Sequence, residues 1–495
     1  MEVAGRAASI DLSPQEFRAI GHRLIDEIAD FLASLPDMPV ARRATVRDIR
    51  QILGSESLPQ TGTDPGLLLK EATTLLFSHS SFNGHPRFMA YITSSAAPLG
   101  MLADLLATAV NPNVGAWSLS PIATEIEAQT VRWLAELLGM PSGTGGLLVS
   151  GGNTANFVCF LAARRAKAPW DVQAGGLTAG KPLCIYASEE THTWVVKAAD
   201  MFGHGTNAIR WIPTDKDLAM DVGALETRIE GDLRQGSVPF LVVGAAGTVS
   251  TGAVDPLERL ADTCRTHGIW FHVDGAYGAP AVVTSNAPKS LAALSYADSV
   301  AVDPHKWLYA PMEAGCALVR NAQALHDAFS HHPPYYHFDH DEEPRLNYHE
   351  YGPQNSRGFR ALKVWLGLRH VGRDGYARLI SENIELSQEL SRRVAAEPEL
   401  EAWTQSLSIC TFRYVPADME AGTAEAEEYL NRLNEALLGR IEQSGEAFLS
   451  NAVIRGSYLL RSCIVNFRTC LSDIEALPGI ITRLGRQVDH ELRRG

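Results

Sequence analysis

The chain lacks the marks of several protein classes. No C-x-x-C occurs among its seven cysteines (Cys159, Cys184, Cys264, Cys316, Cys410, Cys463 and Cys470), and their number is odd. That argues against a disulfide framework and for a reducing compartment. There is no Lys/Arg block: Arg42-Arg43 and Arg164-Arg165 are isolated pairs, and the formal net charge is −14. Nucleic acid and anionic membranes are therefore not expected partners. The longest apolar stretch, Val238 to Val249, is interrupted by glycines and falls short of the ~20 residues that span a bilayer. Met1 to Leu12 has no basic start followed by an apolar run, so no secretory signal is expected. Internal repeats and low-complexity tracts are also missing. What is there suits a cytoplasmic enzyme acting on small molecules: 495 residues, 45% of them hydrophobic, enough for two or three domains.

Ser13, Pro14 and Glu16 form a helix start with a capping box. Phe17, Ile20, Leu24, Ile28, Phe31 and Leu35 follow at three- and four-residue spacing, and Pro36 stops the helix. Residues 36–66, rich in Pro, Gly and Thr, are expected to be an extended arm. Residues 1–85 form a helical arm whose apolar stripe needs a second surface, such as a partner subunit. From about residue 120 strands and helices alternate, with strands expected at 147–149, 183–187, 208–212, 240–243, 269–273, 299–302 and 316–319. A helix capped by Asp255 is expected from Pro256. This pattern predicts an α/β fold with a mostly parallel seven-stranded sheet in a large domain, residues 86–375. Residues 376–495 read as helix, strand, helix, strand, helix, a small C-terminal α+β domain. Between His331 and His349 lies a long polar loop; His331, His332, His337 and His340 within it read as solvated rather than as a metal site.

Ligands of open α/β sheets sit at the carboxyl ends of strands, and four groups are expected there. Ser150-Gly151-Gly152-Asn153 is a strand-to-helix turn that can cradle a phosphate, although such turns are more often only turns. Asp274 ends an apolar strand, where a carboxylate is costly unless paired; a pyridinium N–H would pair it, and so would a simple cap. Lys306 follows a buried strand, where an amine can act as a nucleophile towards an aldehyde. His192 opens a helix and could stack on a ring or handle protons, or merely cap that helix.

Together these residues resemble the group II pyridoxal-phosphate-dependent decarboxylases, fold-type-I enzymes acting on aromatic amino acids, histidine or glutamate. The marks are PHKW at Pro304 to Trp307, HVDGAYG at His272 to Gly278, and RGFRALKVW at Arg357 to Trp365. HPRFMAYI at His85 to Ile92 and MLADLL at Met101 to Leu106 point to the aromatic branch. The resemblance implies pyridoxal 5'-phosphate as cofactor and Lys306 as the lysine that tethers it. Asp274 would partner the ring nitrogen, Ala276 would lie beneath the ring, and His192 would stack over it. Gly152, Asn153 and His305 would serve the phosphate, and Thr248 would sit beside the ring. Tyr335, with Tyr336 adjacent, resembles the loop tyrosine that returns a proton to the substrate carbon. The family often has Ser where Asn153 stands and Asn where Asp303 stands. A carboxylate near a phosphate is unfavourable unless it faces elsewhere.

The expected reaction converts an L-amino acid to a primary amine and carbon dioxide. Tyr91, Ser94 and Trp117 are expected to line the substrate pocket, with an aromatic side chain favoured over an acidic one. Oxidative conversion to an aldehyde is the alternative, and His192 with Tyr335 favours plain decarboxylation. The resemblance also implies a homodimer with its site at the subunit interface.

Overall fold

The computed structural model describes residues 10–42, 44–331 and 345–494. The arm holds α1 (Pro14–Ser34), α2 (Val46–Leu53) and α3 (Pro65–His79). Helix α1 starts as its sequence predicts: the Ser13 hydroxyl accepts from the Glu16 N–H, and the Glu16 carboxylate accepts from the Ser13 N–H. No residue of α1 is buried. Its stripe is not wholly unpartnered, because Phe31 stacks on Phe77 of α3 with ring centroids 4.2 Å apart. The arm is also less extended than its composition suggested. Thr45 and Asp48 make a second capping box, which nucleates α2 inside the 36–66 stretch.

The main body follows with α4 (Pro98–Val110), α5 (Pro121–Leu137), β1 (Gly145–Val149), α6 (Gly152–Lys167), α7 (Val172–Gly175), β2 (Leu183–Ser188), α8 (Trp194–Met201), β3 (Ile209–Ile212), α9 (Val222–Arg234), β4 (Val238–Ala245), α10 (Leu257–His267), β5 (Trp270–Asp274), β6 (Ser299–Val302), β7 (Gly315–Val319) and α11 (Gln323–Phe329). The sheet order is β1-β7-β6-β5-β4-β2-β3. Strands β3, β2, β4, β5 and β6 run parallel, and β7 is antiparallel to both β6 and β1. The carboxyl ends of β1, β2, β4, β5 and β6 therefore share one rim. Every residue of β2 is buried, as expected of a parallel strand covered on both faces. Alternation sends Leu241 and Val243 into one core and Val242 into the other.

Asp255 does not cap α10, which begins at Leu257 after Pro256. Its carboxylate is fully buried and accepts instead from the N–H groups of Met220 and Ala245, each at 2.7 Å. Burial raises its pKa to about 6.

The C-terminal part comprises α12 (Ala361–Ala396), β8 (Leu400–Ser406), β9 (Ile409–Tyr414), α13 (Ala424–Ser444), β10 (Ser450–Ile454), β11 (Ser457–Cys463) and α14 (Leu471–Leu492). Each expected strand is a hairpin, and the four form an antiparallel sheet ordered β10-β11-β9-β8. Helix α12 breaks at Gly372, whose φ of 68° is left-handed. Among the described residues no helix is long and apolar enough to cross a membrane.

The Arg357 to Trp365 stretch earns its place by anchoring. Arg357 is 3% exposed and its guanidinium pairs with Glu127, which is fully buried, at 2.5 Å. It also donates to the carbonyls of Leu148 and Val114 and lies 4.6 Å from the Tyr348 ring centre. Glu127 in turn accepts from the Leu148 N–H. The pair thus fixes β1 two residues before the Ser150 turn. Removing one member of a buried, hydrogen-bonded ion pair leaves the other charge uncompensated, at a cost of about 3–5 kcal/mol. Arg357→Leu should lose about that much stability in urea denaturation; a loss under 1 kcal/mol would show that the pair does not anchor the strand.

Candidate active site

The turn after β1 is the narrowest point of the rim. Gly315 of β7 packs so closely that a Cβ there would lie 2.5 Å from the Gly151 backbone. A Cβ on Gly152 would come within 2.7 Å of Asp303 Oδ2 and 3.3 Å of the Ala276 Cβ. Glycine at these positions lets the ends of β1, β5 and β6 meet. The first intrahelical bond of α6 runs from Ala155 N–H to Gly151 O, so the N–H groups of Gly152, Asn153 and Thr154 precede it. Such groups, together with the helix dipole, favour an anion.

Asp274 ends β5. Its Oδ2 accepts from the indole N–H of Trp194 at 2.8 Å, and its Oδ1 from the Ala276 N–H at 3.2 Å. Trp194 is fully buried in the first turn of α8 and meets the His272 ring edge to face, 5.6 Å between centroids. His272 is held by Ser299 Oγ at 2.8 Å and Asn156 Oδ1 at 2.7 Å. Burial lowers its pKa to about 4, so the ring is neutral near pH 7. Trp194, Asn156 and Ser299 were not singled out from the sequence, and His272 entered only as the first residue of HVDGAYG, without a role. The one available signal was Trp194 standing two residues after His192, and a helical tryptophan is ordinarily core.

Lys306 lies just beyond β6. Its Nζ is 3.0 Å from Asp303 Oδ2, and His305 Nε2 is 3.6 Å from the same oxygen. His305 Nδ1 accepts from the Ala314 N–H, which places the remaining ring proton on Nε2. Burial lowers the pKa of His305. Trp307, fully buried, stacks on Tyr277 at 4.9 Å and donates to Asn383 Oδ1 at 3.0 Å. The PHKW and HVDGAYG stretches are therefore packed against each other through Trp307 and Tyr277.

These groups open on one cavity of about 340 Å³. Gly152, Asn153, His192, Thr248, Asp274, Ala276 and Lys306 all line it. Gly247, with φ of +100°, makes the bend that presents Thr248. Desolvation of His192, only partly offset by the Asp274 carboxylate, lowers its pKa although the ring still reaches solvent. His305 does not line the cavity but backs the turn: a Cβ on Gly151 would sit 3.2 Å from its Cε1. Ser94 donates to the His305 carbonyl at 2.8 Å, behind the cavity wall. Tyr91 is 61% exposed and absent from the lining. Trp117 is absent too; its indole donates to Glu125 and its ring carries the Arg345 guanidinium at 4.9 Å. Within this chain, then, none of the three expected substrate contacts reaches the cavity. Tyr335 and Tyr336 lie outside the described residues.

The residues present fit pyridoxal phosphate. An open helix N-terminus faces the cavity with no side chain at Gly151 or Gly152 to fill it. A carboxylate and an amine face the same space from neighbouring strand ends. The volume lies within the range of cofactor sites, about 300–1,000 Å³.

Residues 49–415 match the pyridoxal-dependent decarboxylase conserved domain. The chain is 34% identical over 482 residues to the aromatic-L-amino-acid decarboxylase of Bacillus atrophaeus, covering 97% of this chain and 98% of that one. It is 30% identical over 473 residues to a phenylacetaldehyde synthase of a Rosa hybrid cultivar, covering 94% and 92%. Among solved structures it resembles Catharanthus roseus tryptophan decarboxylase in complex with L-tryptophan, with a TM-score of 0.86 and 25% identity over 96% of this chain and 99% of that one.

The buried neutral His272 makes stability depend on pH. Folded, its ring takes a proton only near pH 4; unfolded, it titrates near pH 6.5. Between those values the unfolded chain binds the extra proton. The contribution is fully present above about pH 6.5 and falls by about 1.4 kcal/mol per pH unit towards pH 4. Urea midpoints of the cofactor-free chain should show this slope, and His272→Gln should flatten it. An unchanged slope in that variant would mean that other groups carry the acid sensitivity.

Proposed function

The chain belongs to the pyridoxal-dependent decarboxylase family, and from that premise we propose that it converts an aromatic L-amino acid to its primary amine and carbon dioxide. The observation that carries this is the meeting of Lys306, Asp274 and the α6 N-terminus on one cavity. Lys306 Nζ would tether the cofactor through its aldehyde. Asp274, oriented by Trp194, would partner the ring nitrogen and favour its protonated form. The N–H groups of Gly152 and Asn153 would hold the phosphate, with His305 behind them. Ala276 and Thr248, which line the same cavity, would border the ring. The bound cofactor supplies an electron-poor ring that accepts the pair left by departing carbon dioxide. His192, whose pKa burial lowers, would cover the ring and could relay a proton; its Nδ1 accepts from the Trp194 backbone N–H at 3.3 Å, which leaves the proton of a neutral ring on Nε2. Tyr335 is the residue assigned to protonate the α-carbon, with Tyr336 beside it.

Lining charge supports an aromatic over an acidic substrate. Lys306 is the lining residue with a standing positive charge, and it is committed to the cofactor. Glu190 and Glu313 also line the cavity, and Ile92 and Val249 give it apolar wall. A carboxylate in the substrate side chain would find two glutamates and no arginine in the lining; Arg360, the nearby guanidinium, is paired with Glu313 at 3.0 Å.

A homodimer in the cytoplasm completes the proposal. Phe17 and Ile25 of α1, Leu67 and Leu68 of α3, and Leu102, Leu105 and Leu106 of α4 are exposed, apolar side chains that a second copy would cover. Six of the seven cysteines are buried and all are free.

Two measurements test these assignments. Lys306→Ala should lose steady turnover by at least about a thousandfold, together with the visible absorbance of bound cofactor; keeping either refutes the role of Lys306. On a panel of amino acids, carbon dioxide release from tyrosine, phenylalanine or tryptophan should exceed that from glutamate or aspartate by at least about tenfold in kcat/KM, with no stoichiometric peroxide. The reverse preference would overturn the substrate assignment, and stoichiometric peroxide would mean aldehyde formation instead.

A further inference from the structure

Asp303 stands where a phosphate site least wants it. It is 1% exposed, and its Oδ2 lies against Gly152 at the head of α6. Lys306 Nζ, at 3.0 Å, is the partner of that oxygen at hydrogen-bond length among the described residues, since His305 Nε2 at 3.6 Å is too far. The other oxygen, Oδ1, is buried with no hydrogen-bond partner. A carboxylate so enclosed depends on one ammonium for its compensation.

We propose that Asp303 is a positioning residue that holds the free Lys306 ammonium at the cavity floor and weakens the chain's grip on the cofactor, keeping it exchangeable. The inference rests on the assignment of Lys306 as the cofactor lysine. An ammonium offers Asp303 three protons. When Nζ forms a carbon–nitrogen double bond to the aldehyde, the carbonyl oxygen leaves as water and the nitrogen keeps at most one proton. Asp303 then faces a planar nitrogen with at most one N–H in place of an ammonium with three, a weaker partner. At the same time the phosphate arrives at the Gly152 end of α6, beside the carboxylate. Both changes oppose cofactor capture, and Asp303→Asn removes both while conserving shape.

The experiment titrates cofactor-free wild type, Asp303→Asn and Lys306→Ala with pyridoxal phosphate and, separately, with pyridoxal. Uptake is followed by visible absorbance, and release by dialysis. Asp303→Asn should half-saturate at a pyridoxal phosphate concentration about tenfold lower than wild type and release it more slowly. Pyridoxal, which has no phosphate to be repelled, should gain less. Structural damage weakens binding, so a gain cannot come from misfolding. Binding by Asp303→Asn that is no tighter than wild type overturns the inference while leaving Lys306 in its role. Uptake by Lys306→Ala equal to wild type, or no uptake by wild type, overturns the Lys306 assignment and this inference with it.

Discussion

Strands β5 and β6 lie side by side in parallel, with Asp274 opposite Ala301. Asp274 is the last residue of β5, and Lys306 comes four residues after the end of β6. The backbone ladder therefore brings acid and amine to neighbouring strand ends that open on one cavity. A one-residue slip would turn Asp274 to the opposite face of the sheet. The register is pinned from behind by Ser299, which receives Trp270 Nε1 and contacts His272 Nδ1. The site is thus as rigid as the core under it, which suits chemistry that needs a bond held at a fixed angle to a ring.

Around that pair the polar groups are organised in layers. Trp194 orients Asp274, His272 braces Trp194, and Asn156 and Ser299 hold His272 in one tautomeric state. Burial keeps His272 uncharged and lowers the pKa of His192 and His305. Fixed positive charge at the floor is consequently concentrated on Lys306, whose partner Asp303 balances it. On the far side, Arg357 and Glu127 hold β1 just before its turn, where Gly151 and Gly152 leave the head of α6 uncovered by side chains of their own.

The α/β alternation, the strand positions and the capped first helix were legible in the chain because hydrophobic period, capping chemistry and proline placement act over a few residues. The motif residues were legible because each has a chemical type that is costly where it stands without a ligand. Less local features were missed. Helix α2 hid in a stretch rich in Pro and Gly, since four residues of capping chemistry outweighed the composition around them. Asp255 looked like a cap because its backbone position suits one, but the N–H groups it satisfies belong to Met220 and Ala245. Tyr91, Ser94 and Trp117 do not line the cavity within one chain, and their part in substrate binding belongs to the proposed dimer interface.

Sequence alone determined the fold class and the family, and it singled out the amine, the acid and the glycine turn proposed for the cofactor, since these follow from local pattern and residue chemistry. Tertiary structure decided that the three share one cavity, that Trp194 and His272 support the acid, and that Asp303 turns to Lys306 rather than away from it. The physical reason is that burial and pairing are properties of neighbours in space. Asp274 and Trp194 are 80 residues apart in the chain yet 2.8 Å apart in the fold, and only folding the sheet brings them into contact.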